Sequence, residues 1–390
     1  FYKALNGMVK SVKMDDWQTY LTYHMVDGAS PYLSSNFVKE NFEFHSKKLN
    51  GIEQIKPRWK RVVETADFCL GEALGEEYIK TAFSPESKAR MLEMVDNIKV
   101  AFGERIKTLD WMTDSTKTEA LNKLSTFTVK IGYPDKWRDY SNLEIDRGAY
   151  VLNVIRAAEF EANRNYAKIG QPVDKNEWGM TPQTVNAYYN PSNNEIVFPA
   201  AILQPPFFDP KADDAVNYGG IGAVIGHEIT HGFDDQGRMY DAKGNLQMWW
   251  KDEDNSKFVE RANRVVDQFN SYCPLDSVCI NGRLTLGENI ADFGGITIAY
   301  QAYTMTEEFK AAQKIAGFTP QQRFFIGFGR IWAGQYRESA MRTQLLTNVH
   351  SPGKWRVNGT VVNIPEWYQA FGIKEGDKMY LPETDRAKIW

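Results

Sequence analysis

Two histidines and a glutamate within Gly226–His231 have the types and the spacing for metal chemistry. His227 and His231 are four positions apart, so on a helix both imidazoles lie on one face and can reach one ion. Zinc accepts histidine nitrogens at about 2.0–2.1 Å, and a catalytic zinc site has three protein ligands and one position for water. Glu228 lies on nearly the same face, where it can take a proton from that water and pass it to a leaving amine. The pattern predicts a single hydrolytic Zn²⁺ centre.

A third ligand is expected from a second helix, from Leu286 to about Thr306. Glu288 and Asp292 lie four positions apart on it, again on one face. One carboxylate can bind the zinc while the other accepts the free N–H of a ligand histidine. We assign Glu288 to the metal and Asp292 to the histidine, with Asp234 as the other candidate histidine partner. The apolar residues around Glu288 and Asp292 indicate that this helix is buried and that the two acids are not part of an ordinary solvated face.

The elements that must position these residues are mostly helices. Residues 1 to about 125 are predicted to be mainly helical, and a β-hairpin is predicted for residues 184–199, with a turn at 190–193. The segment Ile131–Asp135 interrupts the helical pattern and predicts a junction near residue 127. The sequence therefore predicts a mainly α chain with a small β element and two lobes, residues 1–126 and 127–390. The individual helices are expected at 84–109, 114–124, 147–166, 216–234, 286–306 and 321–339.

Composition excludes several other classes of protein. The 390 residues carry a formal net charge of −4, and 43% of them are hydrophobic, as is usual for a globular protein with a sizeable core. This balance does not favour a nucleic-acid partner. No apolar run approaches the roughly 18 residues that a membrane-spanning helix needs. Cys273 and Cys279 could close a small disulfide loop, but three reduced thiols including Cys69 fit the residues equally well.

The motifs together resemble the neprilysin and endothelin-converting enzyme family, including its bacterial oligopeptidases. His-Glu-Ile-Thr-His at 227–231 is followed 57 residues later by Glu-Asn-Ile-Ala-Asp at 288–292, and the flanking segments 185–189, 197–208 and 349–356 and the final Trp390 agree with that family. The resemblance implies a thermolysin-like zinc-protease catalytic lobe plus part of a helical second lobe. It also implies a zinc-dependent endopeptidase that acts on oligopeptides.

The resemblance implies further roles that spacing alone does not. Asn186 and Ala187 resemble the edge strand that pairs with the substrate backbone. His350 resembles the residue that stabilises the oxyanion, and Arg356 the residue that grips a substrate carbonyl beyond the cut. An apolar pocket for the side chain just after the scissile bond is implied at Ile202, Phe207, Val224, Ile331 and Trp332.

Two departures from the family affect these expectations. Family members are usually far longer, so the resemblance implies that an N-terminal portion is missing; a separate chain supplying it would be a partner besides the peptide substrate. The chain also lacks the cysteine that animal members carry near the C-terminus, which favours a bacterial protein. The family suggests an extracytoplasmic location: periplasmic, secreted or anchored at the surface.

Two other functions compete with the endopeptidase hypothesis. A non-catalytic zinc-binding or interaction fragment, inactive without the missing N-terminal half, is the main alternative, although a structural site has no need of Glu228 as a base. An exopeptidase with the same helix motif is the second. Such enzymes place the third glutamate much closer in sequence and need a group that binds the free end of the substrate, and no such group is recognisable here.

A third departure generates a test. Relatives commonly carry Asp two residues before the oxyanion-stabilising histidine, whereas this chain has Asn348. Without that negative neighbour His350 is less readily protonated. We expect Asn348→Asp to shift the pH–rate profile of peptide cleavage, measured as kcat/KM against pH. A profile that superimposes on that of the unchanged protein would refute this role of position 348.

Overall fold

The helical stretches of the sequence form sixteen α-helices in the computed structural model, which describes residues 1–390. Helix accounts for 59% of the chain and strand for 5%, which confirms the predicted mainly α class with a small β element. None of these helices combines the length and the apolar character that crossing a bilayer requires. The helices are α1 Tyr2–Ser11, α2 Met14–Ala29, α3 Ser35–Asn41, α4 Arg58–Ala82, α5 Pro85–Thr108, α6 Asp114–Ser125, α7 Tyr150–Tyr166, α8 Asp214–Asn217, α9 Ala223–His231, α10 Asp252–Asn270, α11 Leu286–Thr304, α12 Glu307–Ala311, α13 Pro320–Ile331, α14 Glu338–Thr347, α15 Gly353–Val361 and α16 Pro365–Phe371.

The chain forms two compact units whose bounds differ from the single division expected near residue 127. Unit 1 comprises residues 1–71 and 138–173, and unit 2 comprises residues 72–137 and 174–390. Helices α5 and α6 belong to unit 2 because their apolar faces, including Met91, Ile98 and Phe102, are buried in its core. Helix α7, by contrast, belongs to unit 1.

Unit 1 has polar side-chain contacts between its helices. Asn41 donates a side-chain hydrogen bond to Ser30 Oγ (2.8 Å), and His45 Nε2 lies 3.0 Å from Asp27 Oδ1. In α7, Val154 and Ala157 are buried. Many large apolar side chains of unit 1 are exposed. This unit therefore has little apolar core of its own.

Unit 2 contains a three-stranded sheet in the order β1–β3–β2. The predicted hairpin is present, since β2 (Tyr188–Asn190) runs antiparallel to β3 (Glu195–Pro199). The segment predicted as a junction overlaps an unpredicted strand, since Thr128–Gly132 forms β1, which pairs in parallel with β3. Gly132, with a φ of 90°, ends this strand. A short parallel edge strand lacks the alternation that marks hairpin strands, so the sequence did not reveal it.

The helices near the motifs lie close to their predicted positions, but two of the predicted helices are divided into shorter elements. The predicted helix 216–234 consists of α8, a π-helical turn at Tyr218–Gly222 and α9, which ends at His231. The predicted helix 321–339 is wrong as a single element, because α13 ends at Ile331 and α14 begins at Glu338. Helices α10, α15 and α16 were not predicted; α15 and α16 are short, at nine and seven residues, whereas α10 has nineteen.

The centre of unit 2 is a close contact between α9 and α11. A Cβ atom built on Gly226 would lie 2.7 Å from Gly295 O, and one built on Gly295 would lie 2.5 Å from Ala223 O and 2.9 Å from His227 N. The two backbones are therefore in contact at these glycines. A side chain at either position would push the two helices apart. This contact brings the two motif helices together.

Substituting one of these glycines should destabilise unit 2. We expect Gly295→Ala to lower the free energy of unfolding by about 1–3 kcal/mol, because the added methyl overpacks backbone against backbone. Gly103 of α5 offers a matched control, since its Cβ would meet only side chains at 3.7 Å and 3.8 Å. Gly103→Ala should instead raise stability by roughly 0.5–1 kcal/mol through helix propensity. Urea unfolding followed by tryptophan fluorescence measures both; equal midpoints for the two variants would contradict the close-contact argument.

Candidate metal centre and active site

Three side chains from the two central helices converge on one point. His227 and His231 extend from α9, and Glu288 extends from the first turn of α11. The two Nε2 atoms are 3.0 Å apart, and Glu288 Oε2 and Oε1 lie 3.3 Å and 3.7 Å from His227 Nε2 and His231 Nε2. One ligand atom from each residue lies within 4.8 Å of the others. These three donors match the predicted ligand set.

Each histidine has a carboxylate on its other ring nitrogen. His227 Nδ1 lies 2.9 Å from Asp292 Oδ1, and His231 Nδ1 lies 2.7 Å from Asp234 Oδ2. Both carboxylates are almost completely buried. An N–H donated from Nδ1 leaves the Nε2 lone pair directed at the ligand cluster, so these contacts select the tautomer that can bind a metal.

The donor set suits zinc on geometric and chemical grounds. Two imidazole nitrogens face each other at 3.0 Å, and Glu288 Oε2 is buried without a hydrogen-bond partner. Two histidines and one carboxylate form a known catalytic zinc ligand set. An ion between the three groups would satisfy the orphaned oxygen and both lone pairs, since a buried unpaired polar atom is otherwise costly. His227, His231 and Glu288 are therefore the residues that would hold the metal.

Glu228 lies beside the ligands and has an unusual protonation equilibrium. It is 5% exposed and faces the same cavity as the histidines. Burial raises the pKa of the Glu228 carboxyl above its usual value, although His227 and His231 oppose the shift. A raised carboxyl pKa is suited to a group that takes up a proton and later returns it.

Arg356 joins this cluster in a way that the sequence did not reveal. Its Nε and Nη2 atoms donate to the two oxygens of Asp292 at 2.7 Å and 2.6 Å, and Nη2 lies 3.7 Å from Glu288 Oε2. The guanidinium also lies 3.9 Å from the centre of the Trp332 ring. Arg356 is therefore bound to the carboxylate that orients His227, in addition to facing the cavity.

His350 lies at the edge of the ligand cluster. Its Nε2 atom is 3.2 Å from Glu288 Oε2, and its Nδ1 atom is 2.9 Å from Asn348 Oδ1, the position that departs from the family. Burial lowers the pKa of the His350 imidazole. The next residue, Ser351, donates to Asn289 Oδ1 at 2.8 Å. This buried hydrogen bond holds the His350 loop against α11, next to the metal ligand.

One cavity of about 670 Å³ contains the whole predicted site. Asn186 and Ala187 immediately precede β2, the edge strand of the sheet, rather than lying within it. All fifteen residues assigned from the sequence line this cavity: Asn186, Ala187, Ile202, Phe207, Val224, His227, Glu228, His231, Asp234, Glu288, Asp292, Ile331, Trp332, His350 and Arg356. The sequence assignment missed further lining residues: Tyr240 and Phe328 are marked by no motif, and Tyr189, within the segment 185–189, was given no role.

Comparison with known proteins identifies the family. The profile described as Peptidase family M13 matches residues 186–387, and a second profile with the same description matches residues 1–134. The chain therefore belongs to peptidase family M13, a family of zinc metalloendopeptidases that includes neprilysin and endothelin-converting enzyme.

Individual relatives agree with this assignment. An endothelin-converting enzyme homolog from Locusta migratoria is 38% identical over 381 residues, covering 95% of this chain and 52% of the relative. Neprilysin-3 from Drosophila melanogaster is 36% identical over 406 residues, covering all of this chain and 51% of the relative. The chain thus spans about half the length of the curated relatives it matches.

Solved structures give the same fold. The Mycobacterium tuberculosis zinc metalloprotease Zmp1 in complex with an inhibitor has a TM-score of 0.95 and 45% identity, covering 99% of this chain and 59% of that chain. PepO from Lactobacillus rhamnosis has a TM-score of 0.89 and 33% identity, covering 97% of this chain and 58% of that chain. These neighbours support the predicted likeness to bacterial members of the family.

The contact between Asp234 and His231 can be tested through metal affinity. We expect Asp234→Asn to weaken zinc binding about 10–100-fold, because a neutral amide holds the imidazole less firmly than a carboxylate does. Asp235→Asn is a matched control, since its carboxylate pairs with the side chain of Gln236 and not with a histidine. Zinc affinity is measured by competition with a chromophoric chelator. Equal affinities for the two variants would show that Asp234 does not support the ligand.

Proposed function

We propose that this chain forms the catalytic part of a zinc-dependent endopeptidase that hydrolyses oligopeptides. The observation that carries the proposal is the position of Glu228 on α9, between two histidines that converge with Glu288 on a single point. A purely structural zinc site is closed by four protein ligands, whereas this one has three, next to an open cavity. The arrangement favours hydrolysis over a non-catalytic binding role.

Glu228 is the proposed general base and acid. A bound zinc ion supplies a Lewis acid that polarises the substrate carbonyl and acidifies water. The Glu228 carboxylate takes a proton from the attacking water and delivers it to the departing amine. Its burial and raised pKa support both steps, because the carboxyl can hold the proton between them.

His350 and Arg356 are the proposed electrostatic partners of the substrate. His350 Nε2 lies 3.2 Å from Glu288 Oε2, so an N–H on this nitrogen would lie beside the candidate ligands, where it could donate to the oxygen on which negative charge develops. Arg356 is fixed by two hydrogen bonds to Asp292 before any substrate binds. Donors that are already in place need little reorganisation when charge develops.

The walls of the cavity support the proposed substrate preference. Ile202 and Ile331 are buried, and Phe207, Val224 and Trp332 complete an apolar surface on the same cavity as the metal ligands. Burial of an apolar side chain of the substrate there contributes about 25 cal/mol per Å². We therefore propose cleavage before a hydrophobic residue. Asn186 and Ala187, next to the edge strand, would pair with the substrate backbone.

We also propose that the protein acts outside the cytoplasm. The Cys273–Cys279 disulfide, which the sequence left open, supports an oxidising compartment, while Cys69 remains a thiol. Nothing in the comparisons supports a separate chain that supplies the N-terminal part. Peptide substrates remain the proposed partners.

Cleavage of a quenched fluorescent peptide with a central Phe or Leu tests the proposal. We expect cleavage on the amino side of that residue, loss of cleavage after chelation, and recovery when zinc returns. Glu228→Ala should reduce kcat about 10²–10⁴-fold, because it removes the proton transfer but none of the metal ligands.

The zinc content of Glu228→Ala, measured by atomic absorption, is the control. One zinc per chain in both proteins assigns the lost activity to the missing carboxylate. A peptide with Asp in the central position should be cleaved at least tenfold more slowly, by roughly the 1–3 kcal/mol that a hydrophobic pocket discriminates. A folded, zinc-loaded chain that cleaves neither peptide would favour the non-catalytic alternative.

A further inference from the structure

A buried lysine outside the active site is bound to the loop that follows the metal-binding helix. Lys123 of α6 is 1% exposed. Its ammonium group donates to the carbonyl oxygens of Gly232, Gly237 and Tyr240 at 2.7, 2.8 and 2.6 Å. All three N–H donors of the ammonium are therefore used. The acceptors lie more than a hundred residues away in sequence, on a loop that begins immediately after His231.

This loop, residues 232–240, contains the carboxylate that orients His231. Asp234 Oδ2 lies 2.7 Å from His231 Nδ1, while its Oδ1 accepts from the backbone N–H groups of Gln236 and Gly237 at 2.9 and 2.7 Å. The loop thus turns back on the end of α9. Gly237 allows this turn, since a Cβ there would lie 1.7 Å from His231 O. Gly237 consequently binds Asp234 through its N–H and Lys123 through its carbonyl.

Three aromatic rings and one carboxylate lie near the buried Lys123 ammonium. The ring centres of Tyr189, Phe233 and Trp249 lie 5.5–5.9 Å from its Nζ atom. Burial lowers the pKa of Lys123 to about 7, and the nearby carboxylate of Asp234 opposes this shift. A lysine is costly to bury unless its donors are satisfied, so a purely space-filling role would be better served by an apolar side chain.

The backbone of Lys123 is also bound. Its carbonyl accepts a hydrogen bond from Asn194 Nδ2 at 3.1 Å, and Asn194 Oδ1 accepts one from Tyr189 Oη at 3.0 Å. Asn194 lies between strands β2 and β3. The end of α6 is therefore anchored to the hairpin that lines the cavity, which gives the lysine a rigid base from which to hold the loop.

We propose that Lys123 is a positioning residue for the metal centre. It holds loop 232–240 through three carbonyls, so that Asp234 remains hydrogen-bonded to His231 and the imidazole stays directed at the metal. The inference rests on the proposed zinc site. It assigns to α6, within the N-terminal family match at 1–134, a role in positioning the candidate ligand His231 through the loop and Asp234.

Comparing two buried lysines tests the proposal. Lys123→Met keeps the apolar stem and removes the donors. Lys130→Met is the matched control, because Lys130 is also well buried and bonded, to Glu195 Oε2 at 2.8 Å and to the Glu177 carbonyl at 2.9 Å, but is not bonded to the loop. We expect both variants to lower Tm. Only Lys123→Met should weaken zinc binding, by about tenfold or more, the lower end of the range for groups that support metal ligands.

At saturating zinc, kcat of Lys123→Met should remain reduced with little change in KM, because the substrate-binding walls are intact. Similar zinc affinities for the two variants would overturn the proposal. So would losses of zinc affinity that are proportional to the loss of Tm in both variants. If Lys123→Met does not fold, Lys123→Gln, whose amide retains two donors, replaces it under the same criteria.

A double-variant cycle separates this mechanism from a general loss of structure. If Lys123 acts through Asp234, Lys123→Met combined with Asp234→Asn should bind zinc about as tightly as Asp234→Asn alone. If the double variant instead loses the product of the two single-variant losses in zinc affinity, Lys123 and Asp234 act independently. That result would refute the mechanism. Failure of the unchanged protein to bind zinc would instead refute the proposed function, so the two failures are distinguishable.

Discussion

The structure depends on the direct backbone contact between α9 and α11 at Gly226 and Gly295. Each helix carries only part of the candidate metal site, and neither part alone supplies the three ligands that a catalytic zinc site needs. Close approach of the backbones sets Glu288 within 4 Å of both ligand histidines. The surrounding core, including α5, packs against this pair and so maintains the distance between the ligands.

Buried charge is the second organising feature. His227, Glu288, Asp292 and Arg356 lie in one almost completely buried cluster, in which each carboxylate has a cation or an imidazole beside it. Such groups are tolerated in the interior only when they are paired, and removing one partner leaves the other uncompensated. The same pairing fixes side-chain directions, so the groups that would meet a substrate are in position before it binds.

Much of the fold and the site could be predicted from local pattern. Spacing on a helix depends only on residue number, so His227, His231 and Glu228 were assigned to one face without a structure. The bounds of α5, α6 and α11 agree with their apolar periodicity to within a few residues. Strand β1 was missed, because parallel pairing joins segments that are distant in sequence and leaves no local signal.

The sequence by itself determined the types and spacing of the candidate ligands and indicated the helices that present them, since these follow from side-chain chemistry and the helical repeat. Only the tertiary structure decided which groups support them. The bonds of Arg356 to Asp292, of Ser351 to Asn289 and of Lys123 to the loop after α9 each join residues more than sixty positions apart. Such contacts arise from packing of distant elements, which no periodicity in a single segment records.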